Sequence, residues 1–326
     1  MTKLLYLLGL IAGAILPATA SAHVKWFVET DEVINSTHGL IPFYGWSSTE
    51  VLIWSCIVLA VVFVFSRVDR IVKTPRALLA FGLKHEKGIN RIAQAVLGTF
   101  LITVSLLWNV IIVPDLEATG GLLTVLKYAQ MLIGVMYVFN IKPRVASVGL
   151  ALFCFGLIFS NGFIAFLENA ILLSLALYFF IIHAKAGTRV ARLNRWALEF
   201  VRIGTGISLI TLAFTEKLMY PELSLQFLQE HQWNFMQPLF PWFTDKLFVL
   251  STGFAEIIFG ILFIMGYLTR ITTVLIAIFF ASSVTTMLIQ SGLWEVEDLV
   301  VYAAAILFIF HGHGKTKFFH FKSQRG

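Results

Sequence analysis

Nine apolar stretches of membrane-spanning length divide this chain, at about 49–66, 91–113, 122–139, 145–161, 163–183, 197–218, 246–267, 270–290 and 297–311. A helix needs roughly 20 apolar residues to cross ~30 Å of hydrocarbon. Lipid offers the backbone no hydrogen bonds, so a chain of this pattern satisfies its peptide groups within helices. A hydrophobic fraction of 58 % with only 13 % charged residues excludes an ordinary soluble domain. The pattern predicts an all-α polytopic membrane protein. A tenth apolar run, Leu4 to Leu16, follows Lys3 and precedes Ala20-Ser21-Ala22, so residues 1–22 read as a signal peptide with an A-x-A cleavage site.

The placement of charge sets an orientation. Arg67, Arg70, Lys73, Arg76, Lys84, Lys87 and Arg91 share one connection, and Lys142 with Arg144 the next on the same side. Lys185, Arg189, Arg192 and Arg195 follow, then Arg270, then Lys315, Lys317, Lys322 and Arg325. The intervening connections carry Glu29, Asp31, Glu32, Asp115, Glu117, Glu222, Glu230 and Glu295. This is the positive-inside pattern. It predicts a bacterial inner-membrane protein with segment 23–48 in the periplasm and a basic tail, 312–326, in the cytoplasm. The formal charge of +6 is thereby accounted for at the lipid bilayer, without a nucleic-acid partner. Cys56 and Cys154 lie inside predicted helices and no C-x-x-C is present, so they read as packing residues rather than a dithiol relay.

The chain repeats itself. Tyr128-Ala129-Gln130-Met131-Leu132-Ile133-Gly134 matches Phe254-Ala255-Glu256-Ile257-Ile258-Phe259-Gly260, and Gln130 stands as far from Arg144 as Glu256 from Arg270. Pro114-Asp115-Leu116 pairs with Pro221-Glu222-Leu223, and Glu168-Asn169 with Glu297-Asp298. The expectation is one leading transmembrane helix, 49–66, plus two parallel four-helix repeats, 91–183 and 197–311. Charge concentrates in the second. Glu216, Lys217, Glu256, Glu297 and Asp298 face Asn109, Val110, Gln130, Glu168 and Asn169 in the first. The second unit is therefore expected to hold the site, with the first as scaffold.

Glu256 falls near the middle of its helix, roughly 15 Å below the outer boundary at 1.5 Å per residue. An acid at that depth costs ~2.5–3.5 kcal/mol on insertion scales and needs an interior partner, for which Lys217 and Arg202 are the candidates. A buried ion pair that only ties helices together is the alternative reading. Arg270 reads as an orientation signal that snorkels to lipid phosphate. Glu297, Asp298 and Glu168 can be explained as acids complementing helix N-termini. Between the first two helices of the second unit, the connection 219–245 carries Tyr220, Phe227, Trp233, Phe235, Phe240, Trp242 and Phe243. Such aromatics form an interfacial belt or a lid over an apolar ligand.

Arg202, Lys217-Leu218, the long outer connection and Glu256-x3-Gly260-x5-Gly266-x2-Thr269-Arg270 together resemble the DoxX family of small four-helix bacterial membrane proteins. Gly312-His313-Gly314 stands where that family ends its last helix with a G-x-G turn. The resemblance spans roughly 115 residues of the second unit and the first only weakly. Ala213-Phe214-Thr215-Glu216 departs from the family, which places a Gly shortly before the Lys. What the resemblance implies is a membrane component of a redox pathway, in some relatives a subunit of a quinone-linked oxidoreductase. Here Glu256 would exchange the proton, Lys217 would set its charge state and Arg202 would stabilise the acid. Glu216, Trp233, Trp242, Glu297 and Asp298 would line a site for quinone. Any electron carrier would be a bound quinone or a soluble or membrane redox partner, since no haem pair, flavin fingerprint or P-loop is present.

Two further readings belong to other classes. If cleavage follows Ala22, His23 becomes a terminal residue whose amine and imidazole chelate copper, with His38 and His231 as outer-side ligands. The chain would then be a copper-handling protein. His311, His313 and His320 lie on the opposite side among lysines and read as part of the basic tail. The third reading is a non-catalytic membrane assembly subunit.

Overall fold

A computed structural model describes residues 44–45, 47–72, 75–185, 187–231, 234, 236–291, 296 and 298–312. Apart from one short hairpin, the described residues form helices. Helix α1 is Thr49–Val68, α2 Arg76–Lys84 and α3 Glu86–Thr103, which runs on into a π-helical turn Val104–Trp108. Strands β1 Val110–Ile111 and β2 Val113–Glu117 follow, then α4 Gly121–Phe139, α5 Pro143–Ser160, α6 Gly162–Glu168 and α7 Ala170–Ile182. A 3-10 segment, Val190–Trp196, leads into α8 Ala197–Leu212, which ends in a second π turn, Ala213–Leu218. The last elements are α9 Pro221–His231, α10 Asp245–Met265, α11 Thr269–Ser291 and α12 Asp298–His311.

Six helices are long and apolar enough to cross a membrane: α1, Glu86–Trp108, α4, α5, Arg192–Leu218 and α10. Helices α6 and α7 form a seventh candidate span bent by 59° at Asn169, and Thr269–Ala281 and α12 are shorter apolar helices. Each of the nine expected stretches thus contains a helix among the described residues, and six of these helices are long and apolar enough to support a multi-pass membrane protein. Helix starts and stops follow local chemistry. The Ser48 and Thr244 hydroxyls accept from the backbone amides of Val51 and Leu247 and cap α1 and α10. Gly266 closes α10 at φ 75°, a conformation open to glycine.

Four details differ from the sequence reading. The stretch 91–113 stops being helical at Trp108. Asn109 turns to φ 56°, and the β-branched run Val110-Ile111-Ile112-Val113 enters an antiparallel hairpin pairing Val110 with Glu117. The span 163–183 is bent rather than straight. The basic connection after α1 contains α2, whose Gly82 lies so close to the Phe310 carbonyl that a Cβ there would meet it at 2.5 Å. The connection between α8 and α10 contains α9, and Leu223, Phe227, Leu228, Phe243, Phe248 and Val249 form a small core of their own beneath it.

Helices pack in antiparallel neighbours, α3 on α4 and α8 on α10, with α7 against α8 and α12 against α3. In the α8–α10 crossing a Cβ at Gly206 would meet the Gly260 carbonyl at 2.6 Å, and one at Gly260 would meet the Gly206 carbonyl at 2.8 Å. Gly98 and Gly134 do the same for α3 and α4, at 2.6 and 2.7 Å. Close backbone approach through small residues is how helices associate where no hydrophobic force acts between them. Helix α1 leans on α10, stacking Trp54 on Phe254 with ring centroids 6.3 Å apart. Its end is fixed by Asp69, whose carboxylate accepts the Leu268 amide at 3.0 Å.

Gly206→Ala should therefore destabilise the protein by ~1–3 kcal/mol through overpacking. Gly156→Ala, where a Cβ meets nothing within 4 Å, should be neutral or stabilising by up to ~1 kcal/mol. Thermal unfolding of the two purified variants checks the contrast.

Candidate functional site

The π turn at the end of α8 builds the site. An α-helix places neighbouring residues about 100° apart, whereas the wider π turn allows two consecutive side chains to share one interior. Glu216 and Lys217 are both buried there. Across the crossing, α10 offers Gly253, whose missing side chain leaves room for Lys217. A Cβ at Gly253 would meet the Lys217 Cβ at 3.1 Å. One turn further along α10, Glu256 is 3 % exposed and places Oε1 3.0 Å from the Lys217 ammonium. The same ammonium lies 3.6 Å from Glu216 Oε2. One cation thus sits between two carboxylates in the interior of an apolar bundle.

Helix α9 lies over the π turn, and the Ser224 hydroxyl donates to the Glu216 carbonyl at 2.9 Å. Beneath Glu256 lies a small cavity of about 20 Å³, bordered also by Glu168, Thr205, Ser208 and Phe280. That volume has room for about one water. It is water-sized, not quinone-sized, since small-molecule pockets run to ~300–1,000 Å³.

The structure brings Lys217, Glu216 and Glu256 together and places Arg202 elsewhere. Arg202 is fully buried, but its guanidinium lies against Gly266, at the basic end of α10. Ten residues of helix separate Gly266 from Glu256, roughly 15 Å at 1.5 Å per residue. A cation at that position complements the C-terminal end of the α10 dipole rather than the buried acid. Asp298 is fully buried at the start of α12, while Trp242 is 66 % exposed on the outer connection. Trp233, Glu297, His23 and His38, and the side chain of His231, lie outside the described residues. The copper reading is thus untouched by this geometry. Among the described residues no group of three or more His, Cys, Asp or Glu side chains is placed to hold a metal.

Reading the sequence missed Ser208 as a site residue and gave Glu168 only a capping role. The signal for Ser208 was a polar residue at every third position of an apolar helix, Glu199, Arg202, Thr205 and Ser208 on α8, all of them buried.

Removing one member of a buried pair leaves an uncompensated charge. Lys217→Met should cost ~3–5 kcal/mol of stability, and Lys217→Met/Glu256→Gln should recover most of it. Unfolding of both variants in lipid or detergent reads the difference. Compared along its length, the chain matches no established family, no curated protein and no solved structure.

Proposed function

We propose that this chain is a DoxX-like inner-membrane component of a redox pathway, and that its second helical unit carries a buried acid–base site. The observation behind this reading is the Lys217 ammonium held 3.0 Å from Glu256 and 3.6 Å from Glu216, away from bulk water. Two carboxylates around one ammonium leave an excess negative charge in low dielectric, and a single bound proton cancels it. Such a triad is suited to take up and release a proton as a partner changes redox state. Electron transfer itself falls to that partner, a quinone or a soluble or membrane redox protein.

The architecture in this proposal is two parallel four-helix units related by an axis along the membrane normal, with α1 added in front. Matching geometry supports it. Gly98 and Gly134 cross as Gly206 and Gly260 do, and both first helices end in π turns. Arg144 lies over the Phe180 ring at 4.5 Å, and at the matching position Arg270 donates to the Ile309 carbonyl at 2.9 Å. The last helix of each unit packs on the first helix of the other, α7 on α8 and α12 on α3. Reciprocal contacts of this kind are what a two-fold axis requires. The charged loops put the basic end of this bundle in the cytoplasm.

The first unit supports its assignment as scaffold by what replaces the triad. Lys127 reaches from α4 to Asn109 at 2.8 Å, and the Gln130 amide donates to the Ser105 hydroxyl at 3.0 Å. There the matching acid is an amide.

Replacing Glu256 by Gln in the source organism should leave the protein inserted at normal levels and lower the redox activity it supports about 100-fold, the scale of a lost acid–base group. In purified protein, dicyclohexylcarbodiimide, which modifies protonated carboxyls in apolar surroundings, should label Glu256. Full activity in Glu256→Gln together with no labelling at any pH would sink the assignment.

A further inference from the structure

We infer that Glu168 is the second proton-holding group of this site, joined to Glu256 through one buried water held by Ser208. The inference rests on the reading of Glu256 as a proton-exchanging acid and names the group with which it exchanges.

The cavity carries the argument. Glu256 turns one oxygen to Lys217, while its other oxygen, Oε2, is buried and makes no hydrogen bond to the described residues. A buried carboxylate oxygen left in that condition costs more than a satisfied one, so it requires a donor. The cavity that Glu256 borders has the volume of about one water. Ser208, on its wall, accepts the Ile171 amide at 2.9 Å. That bond uses an oxygen lone pair and leaves the hydroxyl proton to be donated. Glu168 borders the same space and is 6 % exposed. A water here would donate to Glu256 Oε2 and to Glu168 and accept from Ser208, which meets the two to four partners a buried water needs.

The fold brings these groups to one place for separate reasons. The 59° bend at Asn169 ends α6 on Glu168 and starts α7 with amides that lack helical partners. Ser208 satisfies one of them. Gly204, where a Cβ would lie 2.5 Å from the Ser174 side chain and 2.8 Å from the Ala170 carbonyl, lets α8 approach closely enough to do so. The cavity thus joins a carboxylate before the bend to the ion pair of the α8–α10 crossing. The other acidic, basic and histidine side chains on the elements around it begin with Glu216 and Lys217 on the π turn, and buried Arg202 and Glu199 one and two turns before the cavity residue Thr205 on α8. Asp245 and Lys246 stand at the start of α10, Arg270 at the start of α11, and Asp298 one turn before the cavity residue Val301, with His311 at the far end of α12. Proton movement needs no bond other than O–H to form or break. The proton passes from one carboxyl to the water as the water gives one to the other, so charge and atoms balance.

Infrared difference spectra of the purified protein in lipid, taken between two pH values, test this through the carboxyl C=O band. The expected result is one shared band that both Glu168→Gln and Glu256→Gln remove or shift, with no further change in the double variant. Ser208→Ala should shift the same band with both acids kept, and carries the test if Glu168→Gln does not accumulate. A strongly bonded water O–H band should move on exchange into H2 18O and vanish in Glu256→Gln. Independent, additive bands overturn the inference, as does a band that Glu168→Gln and Ser208→Ala leave untouched. Loss of the band when sodium replaces potassium at fixed pH would make the cavity a metal-cation site and overturn it too. If Glu256→Gln changes no carboxyl band, the proton-exchange reading of Glu256 fails with it, a result distinct from failure of the bridge alone.

Discussion

The close crossing of α8 and α10 at Gly206 and Gly260 is the constraint on which the rest of this structure depends. Neither glycine can carry a Cβ without meeting the other's backbone carbonyl. At that separation, side chains above and below the crossing meet directly. Toward the acidic end, Lys217 reaches Glu256; toward the basic end, Arg202 reaches the C-terminal cap of α10. A wider crossing would fill the space with lipid-like side chains and leave each charge to find its own partner. In hydrocarbon, that search is what makes intramembrane charges costly.

The two halves share this frame and differ in what they hang on it. Gly98 and Gly134 bring α3 and α4 as close as their counterparts, yet the polar groups there are a glutamine, a serine, an asparagine and a lysine on the opposite helix. The lysine position is instructive. Lys127 stands on α4 where α10 has Gly253, and Asn109 and Val110 stand where the other half has Glu216 and Lys217. The cation has changed helices, and the acid has become an amide. Around Gly98 and Gly134 the polar layer is a hydrogen-bonded one, Lys127 with Asn109 and Gln130 with Ser105.

Much of this was legible in the sequence, and the reasons for the remainder are physical. Apolar length located every long helix, because lipid imposes it, and Gly266 and Asn161-Gly162 marked the turns. Equal spacing from Gln130 to Arg144 and from Glu256 to Arg270 is the sequence signal behind the proposed repeat. The Lys217–Glu256 pair followed from the cost of burying either residue alone. Arg202 was legible as buried but not as distant from the acid, because composition does not say which neighbour a long side chain chooses. The π turns were invisible, since one surplus residue shifts the 3.6-residue period without changing its hydrophobicity. The hairpin after Trp108 was hidden by β-branched residues that suit a lipid-embedded helix and a strand alike. Ser208 was hidden because a hydroxyl among apolar neighbours reads as filler until a bend elsewhere leaves an amide to satisfy.

Helix α9 has a consequence of a kinetic kind. It covers the π turn with a core of six buried apolar side chains and a hydrogen bond onto the π turn's backbone. A carboxylate behind such a plug would equilibrate with solvent on that side only as fast as the plug lifts. In the proposed role of Glu256, the time constant on that side would belong to a short helix leaving its seat, not to the chemistry of the carboxylate. Mutations under α9, remote from any charge, would act on the tempo of the protein while leaving its equilibria in place.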